Sequence, residues 1–102
     1  MALTKFGFIV TGSDLAARMT MRSPSFEMIA VGVASPADGP EVARSLVDEG
    51  VQLLELCGGF GPLWTSRIID AIGARVPVGA VAYGPEAIAG LHAIFGPGDA
   101  GA

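Results

Sequence analysis

Hydrophobic and polar positions along the chain first predict two strands separated by an irregular segment. Residues 6–10 are apolar and rich in β-forming side chains, and residues 26–34 are almost continuously apolar. A continuous apolar run is typical of a strand covered on both faces, so residues 26–34 are expected inside the sheet. Between the two strands we expect a loop with at most a short helical turn over residues 14–19, because Arg22-Ser23-Pro24 stops its continuation.

The rest of the chain alternates between helical and extended patterns. The elements predicted in order are a helix from Asp38 to Glu49, a strand over 51–57, a helix over 62–72, a strand over 76–82 and a helix over 85–95. Asp38 and Glu41 are placed to form a capping box at the start of the first helix. Gly50 and Gly73 are placed to end the first two helices in the left-handed conformation.

This order, β-β-α-β-α-β-α, predicts one α/β domain with a small, mostly parallel four-stranded sheet and two to three helices. Residues 1–95 form the predicted domain, and residues 96–102 contain no packing side chains and are expected to be a flexible tail. Two crossovers in the same direction place both helices on one face of the sheet. The other face is covered by the loop that follows the first strand, by the C-terminal helix or by a partner subunit, and which of these applies depends on the first strand.

Composition changes this picture in one respect, because charged residues make up only 16% of the chain and hydrophobic residues 51%. An average soluble domain is roughly one quarter charged, so this chain has too few charges to coat a monomer. We therefore predict a homo-oligomer, with a dimer as the simplest form.

Charge and targeting patterns exclude two classes of partner. The chain has 6 basic and 10 acidic residues, which leaves no basic footprint for a nucleic-acid backbone. No apolar run reaches the roughly 18 residues that would span a membrane, and the first residues show no signal-peptide pattern, so we expect a cytoplasmic protein. Cys57 is the only cysteine, which rules out an intrachain disulfide and a cysteine metal cluster.

The most function-like motif is the glycine-rich turn between a predicted strand and helix, Cys57-Gly58-Gly59-Phe60-Gly61-Pro62. Ligands of open α/β sheets bind at the carboxyl ends of strands, and glycine amides at a helix N-terminus favour an anion. A phosphate or carboxylate of a small metabolite is the expected ligand, with Thr65, Ser66 and Arg67 as further donors. The spacing matches neither the dinucleotide fingerprint nor the Walker loop. The glycines have an architectural alternative, in which they only allow a tight turn and close packing.

Two residues beside the turn are candidate catalytic groups. Glu55 lies between Leu54 and Leu56 in an apolar strand, so we predict that it is buried and has a specific partner, a ligand or a proton. Cys57 precedes a helix N-terminus, which favours a reactive thiolate, although a lone cysteine usually behaves as a small buried hydrophobe. His92, the only histidine, is interpreted as a surface or subunit-contact residue, and no metal site is expected.

Three segments together resemble a known family: residues 5–10, residues 50–62 and the run Val76-Pro77-Val78-Gly79. Their pattern, and above all Glu-Leu-Cys-Gly-Gly-Phe-Gly at residues 55–61, is similar to a family of short bacterial proteins catalogued as domain of unknown function 6506. The resemblance covers residues 5–82 and implies no activity, substrate or cofactor.

Two functional hypotheses follow from the residues. In the first, the protein is a small-molecule enzyme or binding protein that holds an anionic group at the turn, with Glu55 and Cys57 beside it. In the second, it is a non-catalytic oligomeric or regulatory module in which the turn only shapes the fold.

Overall fold

The computed structural model describes residues 2–96, so residues 97–102 of the predicted tail lie outside the described part of the chain. Its strands and helices, in order, are β1 (Lys5–Thr11), β2 (Ala17–Ser23), β3 (Phe26–Val33), α1 (Gly39–Asp48), β4 (Leu54–Leu56), α2 (Gly61–Ala71), β5 (Val78–Ala80) and α3 (Ile88–Phe95). A 3₁₀ turn precedes each helix, at Pro36–Asp38, Gly58–Phe60 and Pro85–Ala87.

The strands form a five-stranded sheet in the order β2-β3-β1-β4-β5. β3, β1, β4 and β5 run parallel to one another, and β2 pairs antiparallel with β3. The predicted α/β class with a mostly parallel sheet is therefore confirmed.

The fifth strand, β2, corrects the prediction of an irregular segment before Pro24. Residues 17–23 form an edge strand because Met19 and Met21 alternate with Arg18, Thr20 and Arg22, which is the two-residue period of a strand. A two-residue turn then leads back into β3.

α1 and α2 cover one face of the sheet and form a single core with it, as their crossovers predicted. The largest fully buried side chains of the described residues are Ile9, Leu46, Leu54, Leu56, Ile68 and Ile72. Burying each stabilises the fold by roughly 1.5–3 kcal/mol. None of the helices among the described residues has the length and apolar character needed to cross a bilayer.

The helix ends agree with the sequence at their C-termini and differ at the start of α1. Gly50 and Gly73 follow α1 and α2 with φ of 96° and 61°, as predicted. The predicted capping box is wrong, because the Asp38 side chain makes no capping hydrogen bond. The 3₁₀ turn moves the start of the helical segment back to Ser35, whose Oγ accepts a hydrogen bond from the amide of Ala37 at 3.2 Å.

On the second face of the sheet, no helix of the described part of the chain packs over β2, β3 and β1, and we call this part the open face. Strand alternation and register place the following residues on it: Phe6, Phe8 and Val10 of β1, Met19 and Met21 of β2, and Phe26, Met28 and Ala30 of β3. The rings of Phe6 and Phe26 meet there with centroids 5.8 Å apart. The prediction that residues 26–34 are covered on both faces is therefore wrong for this chain alone.

The opposite side of β2 and β3 carries ion pairs. Arg18 pairs with Glu49 at the end of α1, and its hydrogen bonds lower the pKa of Glu49 below the usual range. Glu27 accepts from Arg22 at 2.6 Å and lies 3.5 Å from the Lys5 ammonium, and both lower its pKa, with the Arg22 hydrogen bond as the larger cause.

Candidate functional site

The glycine-rich turn lies where β4 meets α2, at the carboxyl edge of the parallel strands. Cys57 ends the strand, Gly58–Phe60 form one 3₁₀ turn, and Gly61 begins α2 with φ 65°. That left-handed angle is costly for residues with a Cβ, which explains a glycine at position 61.

Phe60 anchors the turn in the core. Its side chain is only 2% exposed and lies against the first turn of α1. A Cβ added at Gly39 would come within 2.7 Å of the Phe60 ring and 3.0 Å of Ile68. The glycine at position 39 therefore permits a close approach between α1 and the turn.

Two amides of the turn lack a hydrogen-bond acceptor among the described residues. Phe60 N–H donates to the carbonyl of Cys57 at 3.2 Å, and Gly61 N–H donates to that of Gly58. Within the described residues, the amides of Gly58 and Gly59 donate to no acceptor, and both glycines are exposed. These two amides can therefore bind a ligand.

Two adjoining cavities open at the turn, with volumes of about 640 and 870 Å³. Both are lined by Gly58, Tyr83 and Leu91, so the turn and α3 form a common wall. The described residues lining them include no aspartate or glutamate, although the chain has ten acidic residues. The lining is mostly apolar, which is typical of small-molecule sites.

The three predicted donors of α2 are placed differently from one another. Thr65 and Ser66 line the smaller cavity. The Thr65 hydroxyl donates to the carbonyl of Gly61 at 2.7 Å, so its proton is already engaged, whereas Ser66 is exposed. Arg67 lies with its guanidinium 4.5 Å from the ring centre of Trp64 and lines neither cavity.

Cys57 lines the larger cavity together with Thr11 and His92. Its thiol is half-buried, and its Sγ accepts a hydrogen bond from the amide of Thr11 at 3.3 Å. Sequence reasoning did not place Thr11 or His92 in the site. Thr11 gave no signal of its own, and the helical spacing in residues 85–95 showed that His92 lies on a helix but not what that helix faces.

Glu55 is exposed, so its predicted burial is wrong. Leu54 and Leu56 point into the helix-covered core, and strand alternation sends Glu55 to the other side. It lies beside Gly79 and Ala80 at a cavity of about 220 Å³ and lines neither cavity of the turn. No hydrogen bond or ion pair joins it to another described residue.

The glycines at 58 and 59 also have a packing role. A Cβ at Gly59 would come within 2.7 Å of the Thr11 methyl group, and one at Gly58 would lie 3.2 Å from the Tyr83 ring. Neighbouring segments thus approach the turn closely at both positions. Across residues 2–96, no group of three or more histidine, cysteine, aspartate or glutamate side chains is arranged to hold a metal ion.

Comparison with known proteins gives one match. The model of a family described as a family of unknown function (DUF6506) matches residues 4–96. No curated protein and no solved structure matches the chain.

Proposed function

We propose that this chain, which belongs to the family of unknown function DUF6506, binds a small metabolite that has an anionic group and an apolar body. The observation that carries the proposal is the pair of unpartnered amides, at Gly58 and Gly59, beside two apolar cavities. The family supplies no activity, so the proposal is supported by this geometry alone.

The anionic group would bind at the turn. Backbone amides have fixed dipoles, and the eleven-residue helix α2 adds a partial positive charge at its N-terminus. Among the described residues, none that lines either cavity carries a carboxylate, so no negative side chain lies next to the anion, although the chain as a whole has a net charge of −4. Ser66 offers a hydroxyl to the same group.

The apolar part of the ligand would extend towards α3. Ile69 and Leu91 line the smaller cavity, and Val10, Leu91 and Phe95 line the larger one. Each volume lies within the 300–1,000 Å³ range of ordinary ligand sites. A short acyl chain or an aromatic ring fits such a lining better than a sugar does, since few polar groups are available to replace lost water contacts.

Cys57 gives the site its one thiol. Its sulfur accepts a hydrogen bond from the Thr11 amide and lies at the wall of the larger cavity. A thiol in contact with the ligand can act as a nucleophile, so Cys57 is the residue that would make the protein an enzyme as well as a binding protein.

The test is a calorimetric titration with octanoate, octyl phosphate, acetate and octanol. We expect octanoate or octyl phosphate to bind at least about 10-fold more tightly than acetate or octanol, because only they combine charge and an apolar body. The preferred head group distinguishes a carboxylate ligand from a phosphate.

Gly58→Val and Gly79→Val form a matched pair for the same titration. A Cβ at Gly58 points towards Tyr83 between the cavities, whereas one at Gly79 has no atom within 4 Å. Binding should be lost in Gly58→Val and kept in Gly79→Val. Equal binding by both variants, or no preference for the charged amphiphiles in the unaltered protein, would contradict the proposal.

A further inference from the structure

The open face is apolar across three strands. The face has eight apolar side chains on β1, β2 and β3 and one polar side chain, that of Ser23 at the end of β2, and Met19 and Met21 are 69% and 62% exposed. Phe95 of α3 is 77% exposed and lines the larger cavity with Val10, so the apolar surface continues from the sheet onto this helix. Monomeric proteins rarely expose contiguous apolar patches of this kind.

The two faces of β2 differ in polarity. Arg18, Thr20 and Arg22 point to the helix side, where Arg18 reaches Glu49 and Arg22 reaches Glu27. The methionines point to the open face. Methionine packs adaptably against apolar partners, so this alternation favours an apolar contact on the open face.

Charge restricts what can bind there. All six lysines and arginines lie on the helix side of the sheet, on α1 and α2, or in the segment after α2. On the opposite side of the sheet, which includes the open face, Glu55 is the one charged residue among the described strand residues, and it lies beyond the open face on β4. A partner recognised by ion pairs, such as an acidic or basic peptide, would find no counter-charge.

We propose that a second copy of this chain covers the open face in a two-fold symmetric dimer. An uncharged apolar surface is complementary to itself, which an isologous contact requires. A large side chain has about 200 Å² of surface, so the exposed parts of the open-face side chains and of Phe95 together amount to on the order of 600–800 Å² per chain. This area is close to the roughly 800 Å² that each partner buries in a standard interface. Glu55 remains at the rim, where its charge stays solvated.

Sedimentation velocity between about 1 and 100 μM tests the dimer, with Met21→Lys and Thr20→Lys as a matched pair. The substitutions are adjacent on β2, both sites are exposed, and only Met21 lies on the open face. We expect the unaltered chain and Thr20→Lys to sediment at twice 10.3 kDa. Met21→Lys should remain folded by circular dichroism, with dimer affinity lowered on the order of 100-fold, because it places an unpaired charge in the contact.

Met19→Lys provides a second variant with the same expected loss, at a site that is equally accessible in the single chain. A mass near 10.3 kDa for the unaltered chain throughout the series would overturn the proposal. An assembly larger than two chains, or a dimer that both methionine substitutions leave intact, would overturn it as well.

Discussion

Phe60→Ala tests whether the glycine-rich turn is held in place by the core. Phe60 is 2% exposed, and burying about 200 Å² of aromatic surface at 25 cal/mol/Å² stabilises the fold by about 5 kcal/mol. Measured losses for such truncations are about 3–5 kcal/mol. A domain of this size has about 5–15 kcal/mol of stability in total, so the variant should lose at least a fifth of it.

Urea unfolding followed by Trp64 fluorescence and far-UV circular dichroism measures this loss. Trp64 is the only tryptophan and lies in the first turn of α2, next to the site. The matched control is Leu63→Ala, an apolar truncation in the same turn at a side chain that is 59% exposed, which should cost less than about 1 kcal/mol. Chain concentration must be held constant, since dimerisation would add to apparent stability.

The result that would refute the reasoning is a small difference between the two variants. If Phe60→Ala lost less than about 1.5 kcal/mol, the turn would not depend on its aromatic anchor. Should the alanine variant fail to fold, Phe60→Leu replaces it in the test. It should lose less than half of the stability expected to be lost in Phe60→Ala, because leucine leaves a smaller cavity.

Two further predictions concern an ion pair and the thiol. Arg18→Gln should lower stability at neutral pH only slightly, as expected for an exposed pair. Its partner Glu49 has a folded-state pKa below the unfolded value of 4.5, so the ion pair stabilises the fold above pH 4.5 and this stabilisation is lost as pH falls through the folded pKa. Thermal melts of both proteins across this pH range measure the effect. A difference in stability between them that does not change with pH would contradict the prediction. Cys57→Ala should cost about 1 kcal/mol more than Cys57→Ser in urea unfolding, because alanine leaves the Thr11 amide without its acceptor, and equal losses would show that this hydrogen bond contributes nothing.

The parts of the fold that the sequence predicted correctly are those with a continuous apolar run, as in β1 and β3, a helical period or a strong turn residue. α1 and α2 carry apolar stripes that pack on the sheet, and Gly50 and Gly73 end them as expected. These features are local, so a single chain segment contains the whole signal.

β2 was missed although its alternation is visible in Arg18-Met19-Thr20-Met21-Arg22. Ser13 and Asp14 could cap a helix, and Pro24 could end one, and these competing turn signals outweighed a five-residue pattern. The strand also depends on pairing with β3, which is a tertiary contact that propensity does not report.

Glu55 shows why a residue's neighbours in a strand do not reveal its own environment. Leu54 and Leu56 are fully buried, yet they report only the face that they share. Whether the alternate face is covered depends on what packs across the sheet, and no helix within residues 2–96 does so over β1 to β3. The site was predicted only as far as one turn for the same reason, since Tyr83, Leu91 and His92 reach it through the path of the chain after β5.

The two proposals meet at Val10 and Phe95. Both residues line the larger cavity, and both belong to the apolar surface that a second chain would cover. A ligand in that cavity would therefore lie beside the dimer contact, and a partner would help to exclude water from its apolar part. Because binding equilibria at adjacent sites are reciprocal, a ligand that fits better in the dimer must also strengthen the dimer. The Met21→Lys variant can therefore show whether the open face contributes to the cavity: octanoate binding that weakens in Met21→Lys but not in Thr20→Lys would locate part of the ligand's environment in the second chain.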